Sequence, residues 1–403
     1  MPPLAVPLCS LPLAARRRMS PVALPLRLAA ALLTAGAAAL LPAPVAALSV
    51  TDPGQGPVAI ADGAGSLPHE LSGLVWVPDS SEYLAVSDDQ PRVHRLSVAL
   101  DGATGRITAA TTTGALTLTA ADGAPLPSGR DLEGVTLTNG GATLLVSDES
   151  GPALRAHVLA TGRAIAQIDP TSDPALAVFA GQRSNLGWES LSSAPDTGVV
   201  WTANEEALTS DGPSGGGVDV NTLVRLQRFG ADLTPSGQWA YRVSGDVVPG
   251  ALGNTNAGVS DLVALPGGQL LVLERTAGLV SFAPTIDLEL RNRIFLVDFA
   301  GATDVTSLPS LVGGGFTEAG KTLLWEGVFP DDNFEGMALG PVLAGGDRSL
   351  LLVSDDGAGL HQSLYALRLA GIVPEPASAA LLAAGLAGLG AAGRRRSPAR
   401  PTR

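Results

Sequence analysis

The sequence predicts an all-β fold, a β-propeller of five or six blades, preceded by an N-terminal signal segment and followed by a C-terminal transmembrane helix. Three observations predict it. A unit of two β-rich runs around a Pro, Gly, Asp or Asn turn recurs five times, and a further β-rich run follows each unit after a short loop. No stretch between the copies has the periodicity of a long amphipathic helix.

Residues 1–47 read as a signal peptide, with Met19 as an alternative start. Arg27 precedes an apolar run from Leu28 to Leu41, and the small residues of "PAPVAA" supply a cleavage site after Ala47. That run is short for a membrane span.

The propeller domain is placed at 48–372. Its paired runs are "ELSGLVWVPDSSEYLAVSDD" from Glu70, "DLEGVTLTNGGATLLVSDES" from Asp131, "GWESLSSAPDTGVVWTANEEA" from Gly187, "GVSDLVALPGGQLLVLERT" from Gly258 and "NFEGMALGPVLAGGDRSLLLVSDDG" from Asn333. Each reads as a hairpin. "RVHRLSVAL", "ALRAHVLAT", "NTLVRLQRF", "NRIFLVDFA" and "SLYALRLAG" add the next strand. Three strands repeating roughly every 55 to 75 residues fit a propeller blade. A β-sandwich is the alternative, but it predicts no repetition of whole units.

Carboxylates stand at both ends of these hairpins. In an antiparallel pair the first residue of one strand lies beside the last of the next. Glu335 is thus expected to meet Asp355 and Asp356, Glu133 to meet Asp148 and Glu149, and Glu189 to meet Glu205 and Glu206. If these are the inner strands, radial repetition gathers the acids at one mouth of the channel. Like charges so placed are unfavourable, and bound Ca2+, which takes six to eight oxygen ligands, is the economical offset. Hydrogen-bonded strand ends are the plainer alternative for any one motif.

Charge narrows the function. Setting aside the nine arginines and one glutamate of the two ends, the core holds 16 basic and 37 acidic residues, a balance of about −21. This excludes nucleic-acid binding, which needs a basic face. Cys9 is the sole cysteine and falls in the leader, so the exported protein has no disulfide.

"GRDLEGVTL…LLVSDES", "QRSNLGWESLSSAPD…VWTANEEAL…DGP" and "NFEGMALGP…LLLVSDD" together resemble the phytase-like family, described as esterase-like activity of phytase. The resemblance covers roughly 66–370. It implies a propeller related to calcium-dependent phytases, with an acidic mouth that holds Ca2+ and binds phosphate esters. On the matching positions it implies Glu133, Asp148, Glu149, Glu205, Asp355 and Asp356 as metal ligands, and Glu189 or Glu335 as the catalytic base. Arg130 and Arg183 match basic positions facing substrate phosphate, and Arg275, in place of a closing acid, is a third anion contact or an ion-pair partner of Glu274. Ser72 and Ser260 replace the leading Glu in two copies, so asymmetric metal sites are expected rather than a ring.

Residues 373–403 begin with Pro374, Glu375 and Pro376, continue through an apolar stretch at 377–393 and end in Arg394, Arg395 and Arg396. These three parts in order resemble the PEP-CTERM sorting signal of Gram-negative bacteria. The resemblance implies export across the inner membrane, anchoring through the C-terminal transmembrane helix and processing by an exosortase. A cell-surface or secreted location follows.

Other chemistry is weaker. "GPSGG" fits a nucleophile-elbow pattern, but it sits in a Gly-rich loop without the strand and helix such an elbow needs. His94 and His157 fall in equivalent strands and read as packing residues, as do Trp76, Trp188, Trp201 and Trp325; His69 is left open. Two functions remain: a Ca2+-dependent phosphoric-ester hydrolase acting on a small phosphate ester, and a non-catalytic propeller binding an extracellular polymer or partner. A lactonase-type propeller is a third.

Overall fold

A computed structural model of the chain describes residues 47–372 apart from 64–67, 128, 219, 282, 284–286 and 358–361. The regions expected as signal segment and C-terminal transmembrane helix, together with Cys9 and His361, lie outside the described residues. No described helix is long and apolar enough to cross a membrane.

Among the described residues twenty-one strands form five antiparallel sheets, so the blade count is five. Blade 1 holds β3 (Leu71–Val77), β4 (Glu82–Ser87), β5 (Arg92–Leu100) and β6 (Ile107–Thr117). Blade 2 holds β7 (Leu132–Thr138), β8 (Thr143–Asp148), β9 (Ala153–Val158) and β10 (Ala164–Ile168). Blade 3 holds β11 (Ser192–Ser193), β12 (Val200–Ala203), β13 (Leu223–Phe229) and β14 (Pro235–Arg242). Blade 4 holds β15 (Gly253–Ala264), β16 (Leu270–Ser281), β17 (Asp287–Asp298) and β18 (Gly320–Phe329).

Blade 5 is completed from both ends of the domain. Its strands β19 (Asn333–Val342), β20 (Arg348–Asp355) and β21 (Ser363–Ala370) are joined at the outer edge by β1 (Ser49–Thr51) and β2 (Val58–Ala59). Pairing first strands with the last closes the ring and covers the edge of β21.

The inner strands β3, β7, β11, β15 and β19 contact one another in that order and back to β3. The core lies between blades rather than at one centre. Leu84, Val86, Leu144 and Val146 fill the junction of blades 1 and 2, Leu154, Trp188 and Phe229 that of blades 2 and 3, and Leu226, Trp239, Leu262 and Val272 that of blades 3 and 4. Leu271, Ile294, Phe334 and Leu352 join blades 4 and 5, and Leu74, Tyr83, Leu351 and Leu364 close the circle to blade 1.

The Glu-Gly and Ser-Gly pairs of the repeats have a packing reason. A Cβ on Gly73 would lie 2.3 Å from the Glu133 carbonyl oxygen, and one on Gly134 would lie 2.5 Å from Leu191 N. Neighbouring inner strands therefore touch backbone to backbone at this level, where only glycine fits. Gly73→Ala and Gly134→Ala are each expected to lower stability by about 1–3 kcal/mol, read as a lower urea midpoint. Gly102→Ala, with open space around its Cβ, is expected to leave the midpoint unchanged.

Candidate functional site at the acidic mouth

A β-bulge sits at the same point of every inner strand. The register slips by one residue between Leu71 and Gly73, Leu132 and Val135, Val259 and Asp261, and Phe334 and Gly336. In blade 3 it slips between the Trp188–Asn204 bridge and the Ser192–Trp201 pair. The bulged segments carry Ser72, Glu133, Glu189, Ser260 and Glu335. A bulge re-aims a side chain that a regular pleat would direct elsewhere.

The second tier follows from the same register. Leu71, Leu132, Trp188, Val259 and Phe334 face Ser87, Asp148, Asn204, Glu274 and Ser354. The next residues along those second strands are Asp88, Glu149, Glu205, Arg275 and Asp355. The mouth is thus built from two tiers of five, one holding three glutamates and two serines, the other four acids and an arginine.

The tiers meet between blades as well as within hairpins, because the end of each second strand lies against the next blade. Oxygens of Glu149 in blade 2 and Glu189 in blade 3 lie within 4.8 Å of one another, and Glu149 also accepts the Gly187 N–H. Asp356 accepts the N–H of Glu70 at 2.5 Å across the ring closure. The expected meeting of Glu335 with Asp355 runs through Asn333, whose amide donates to Glu335 Oε1 at 2.8 Å and to Asp355 Oδ2 at 3.3 Å.

Two carboxylate triads result, sharing Glu133. Oxygens of Glu133, Glu149 and Glu189 all lie within 4.8 Å of one another, as do those of Asp88, Asp131 and Glu133. Glu133 and Glu189 are buried, and burial with the surrounding carboxylates pushes both well above the usual range. Burial raises Glu149 to about 8 and Asp88 to about 9, with neighbouring acids adding to each. Glu335 rises to about 7, where burial outweighs the opposing Arg275 charge. Asp88 Oδ1 is buried with no hydrogen-bond partner among the described residues.

The other predicted residues have company of their own. Arg275 Nη2 pairs with Glu205 at 2.8 Å, and its Nη1 pairs with Glu335 and donates to Asn333 Oδ1 at 2.8 Å. It is therefore the internal counter-ion of the blade 3 to 5 side. Asp148 stands one residue before its tier, so strand alternation puts it on the opposite side of its strand from Glu149. It pairs there with Arg130 at 2.9 Å and Arg155 at 2.6 Å. Arg183 donates to the backbone carbonyls of Ala207 at 3.0 Å and Gly212 at 2.8 Å, holding the loop that contains "GPSGG". That loop lies between β12 and β13 with no helix after it. His69 reaches Asp89 at 3.5 Å and Glu70 at 3.8 Å at the outer lip. His94 and His157 are buried in their strands, and Trp188, Trp201 and Trp325 pack within aromatic clusters.

The sequence reading passed over Asp88, Asp131 and Asp261. Asp88 ends "VSD" in blade 1 as Asp148 and Asp355 end it in blades 2 and 5, so the repeat itself carried the signal. Asp261 occupies the glycine position of its repeat, and its carboxylate accepts N–H groups from Met337 at 2.6 Å and Leu262 at 2.7 Å.

The geometry defines a five-bladed propeller with a one-sided acidic mouth. A family profile described as "Esterase-like activity of phytase" matches residues 69–358, and the chain belongs to that phytase-like family. A second profile, the PEP-CTERM protein-sorting motif, matches 373–396 and marks a protein exported across the inner membrane of a Gram-negative bacterium and processed by an exosortase at its C-terminus.

No curated protein matches the sequence. Among solved structures the chain is similar to hydrazine synthase of Kuenenia stuttgartiensis at 11% identity and a TM-score of 0.29, covering 73% of this chain and 60% of that one. It is similar to a luciferin-regenerating enzyme at 12% and 0.35, covering 78% and 95%. Regucalcin of Agrobacterium tumefaciens gives 13% and 0.32, covering 77% and 96%. Likenesses this distant carry nothing about function.

Two outcomes are expected. The folded carboxyls hold protons that the unfolded chain releases near pH 4.5 for Glu149 and 3.8 for Asp88, so their stabilising effect is present in full below those values and lost as pH rises through about 8 for Glu149 and about 9 for Asp88. Chelated protein should therefore melt lower at about pH 8.5 than at about pH 5 in calorimetry. Arg275→Met, which leaves Glu205 and Glu335 without their counter-ion, should lower stability by about 3–5 kcal/mol in urea unfolding at neutral pH.

Proposed function

We propose that the acidic mouth is a Ca2+-dependent phosphoric-ester hydrolase site. The observation that carries this reading is the pair of triads sharing Glu133, with no basic side chain among the described residues forming an ion pair with Glu133, Glu149 or Glu189. The donor set suits a hard cation, being all carboxylate oxygen with Asp88 Oδ1 unpartnered.

Asp88, Asp131, Glu133 and Glu149 are the residues that would hold the metal, with Glu189 beside them. Bound Ca2+ would supply positive charge for phosphoryl oxygens and acidify a coordinated water. Without such a charge the mouth repels any phosphate ester. Glu189 is the better of the two predicted bases, because Arg275 and Asn333 already engage Glu335. A cation bound at the neighbouring carboxylates would favour the ionised form of Glu189, the form that can take a proton from a coordinated water.

A second reading, a non-catalytic exported propeller that binds an extracellular polymer or partner, has its own support. Arg130, Arg183 and Arg275 are all engaged by groups of the protein itself. This leaves no unengaged guanidinium among them for a substrate phosphate.

One experiment separates the two. Chelated protein is assayed with and without Ca2+ on a generic phosphomonoester and a carboxyl ester, and its melting temperature is followed in parallel. Hydrolysis of the phosphomonoester that needs Ca2+ and falls about 10²–10⁴-fold in Glu189→Gln is expected. Stabilisation by Ca2+ without any turnover would leave the binding reading, and carboxyl-ester turnover that survives chelation would overturn the phosphate reading.

A further inference from the structure

The opposite mouth of the channel is a different site. A cavity of about 630 Å3 opens there, lined from all five blades by apolar residues that include Leu74, Val135, Leu191, Val263 and Met337. None of the mouth carboxylates lines it. Its volume falls within the range of small-molecule pockets, which are mostly apolar with a few polar groups that fix orientation.

The polar groups on the wall differ in what engages them. The Thr136, Ser192 and Ser193 hydroxyls bind neighbouring strands: Thr136 Oγ1 accepts the Ser193 N–H at 3.0 Å, Ser192 Oγ accepts the Ala264 N–H at 3.0 Å, and Ser193 Oγ donates to the Leu137 carbonyl at 2.8 Å. Arg95 reaches Glu82 at 3.5 Å.

Arg348 is different. Its Nε and Nη2 donate to the Gly340 carbonyl at 3.1 and 2.7 Å, and among the described residues it forms no salt bridge with an acid. The adjacent Asp347 pairs with Arg368 at 2.5 Å instead. Asp79, in an exposed rim turn, is the one acid on the cavity wall. In a core with 37 acids to 16 bases, a guanidinium without a carboxylate beside an apolar cavity is a specific anchor for an anion.

We propose that this cavity binds a small amphipathic anion, an apolar chain or ring carrying one carboxylate, with the head group on Arg348 and the body against the inner strands. Partial burial draws Arg348 below its ordinary range, and an anion placed beside it relieves that penalty. The apolar wall supplies affinity by removing hydrocarbon from water. The site is independent of the acidic mouth and needs no metal.

The test uses decanoate as probe and the full-length chain, with EDTA present so that the acidic mouth contributes nothing. Isothermal titration is expected to show one saturable decanoate site. Arg348→Gln should weaken it at least about tenfold, the effect of losing one charge-assisted contact. The uncharged 1-decanol should bind wild type at least about tenfold more weakly than decanoate. Leu137→Trp, which fills the cavity, should abolish binding while the thermal transition persists. Absence of saturable binding to wild type, or equal binding of decanoate and 1-decanol, would overturn the proposal. So would equal affinity of folded Arg348→Gln or Leu137→Trp. If Arg348→Gln does not fold, the alcohol comparison and Leu137→Trp decide it.

Discussion

Two carboxylates about 4 Å apart near a protein surface repel by roughly 4 kcal/mol at an effective dielectric near 20, and this mouth gathers many. The protein neutralises them in three physically different ways. Asp148, Glu205 and Glu335 have guanidinium partners. Glu206 and Asp261 accept backbone N–H groups, from Gly215 in the first case and from Met337 and Leu262 in the second. The two triads have neither in sufficient number, so they keep protons or take up a cation. Closing the ring creates that choice, since the residues concerned come from three blades.

The asymmetry follows from three substitutions in an otherwise regular pattern. Serine at 72 and 260 removes two leading carboxylates, and arginine at 275 replaces one closing acid with its opposite. Among the acids of the two tiers, Glu205 and Glu335 pair with Arg275, and Asp355 is held by Asn333 and the Gly357 N–H. This leaves Asp88 of blade 1, Glu133 and Glu149 of blade 2 and Glu189 of blade 3 without a guanidinium. A symmetric ring of five would place every carboxylate under the same repulsion. Here Arg275 settles one side, and the strain falls on Glu133, Glu149 and Glu189.

Much of this was legible in the sequence because backbone repetition writes itself as side-chain repetition. Each hairpin and its following strand were visible as apolar runs, and the blade class followed. The count of five was not, because fourth strands such as β10 and β18 are partly exposed edges without a strong apolar signature, and because β1 and β2 complete blade 5 from a distance. The one-residue bulge was also invisible. Without it, reading straight across each hairpin puts Glu133 beside Asp148; the bulge and strand alternation instead give Glu149 to the mouth and Asp148 to Arg155. Asp261 could not be read at all, since its value comes from N–H groups of two different blades.

The bulge also explains how one set of five strands serves two mouths. Before it, the inner strands present serine or glutamate, and within a few residues after it they present Leu74, Val135, Leu191, Val263 and Met337. The change occurs at the level where Gly73, Gly134 and Gly336 bring neighbouring backbones into contact, and where Asp261 is buried against strand N–H groups. Strands that touch there leave little room for side chains to pass between polar and apolar ends. Each end can then change by substitution without altering the other, because the contact that holds the ring closed is made by backbone rather than by the residues that face a ligand.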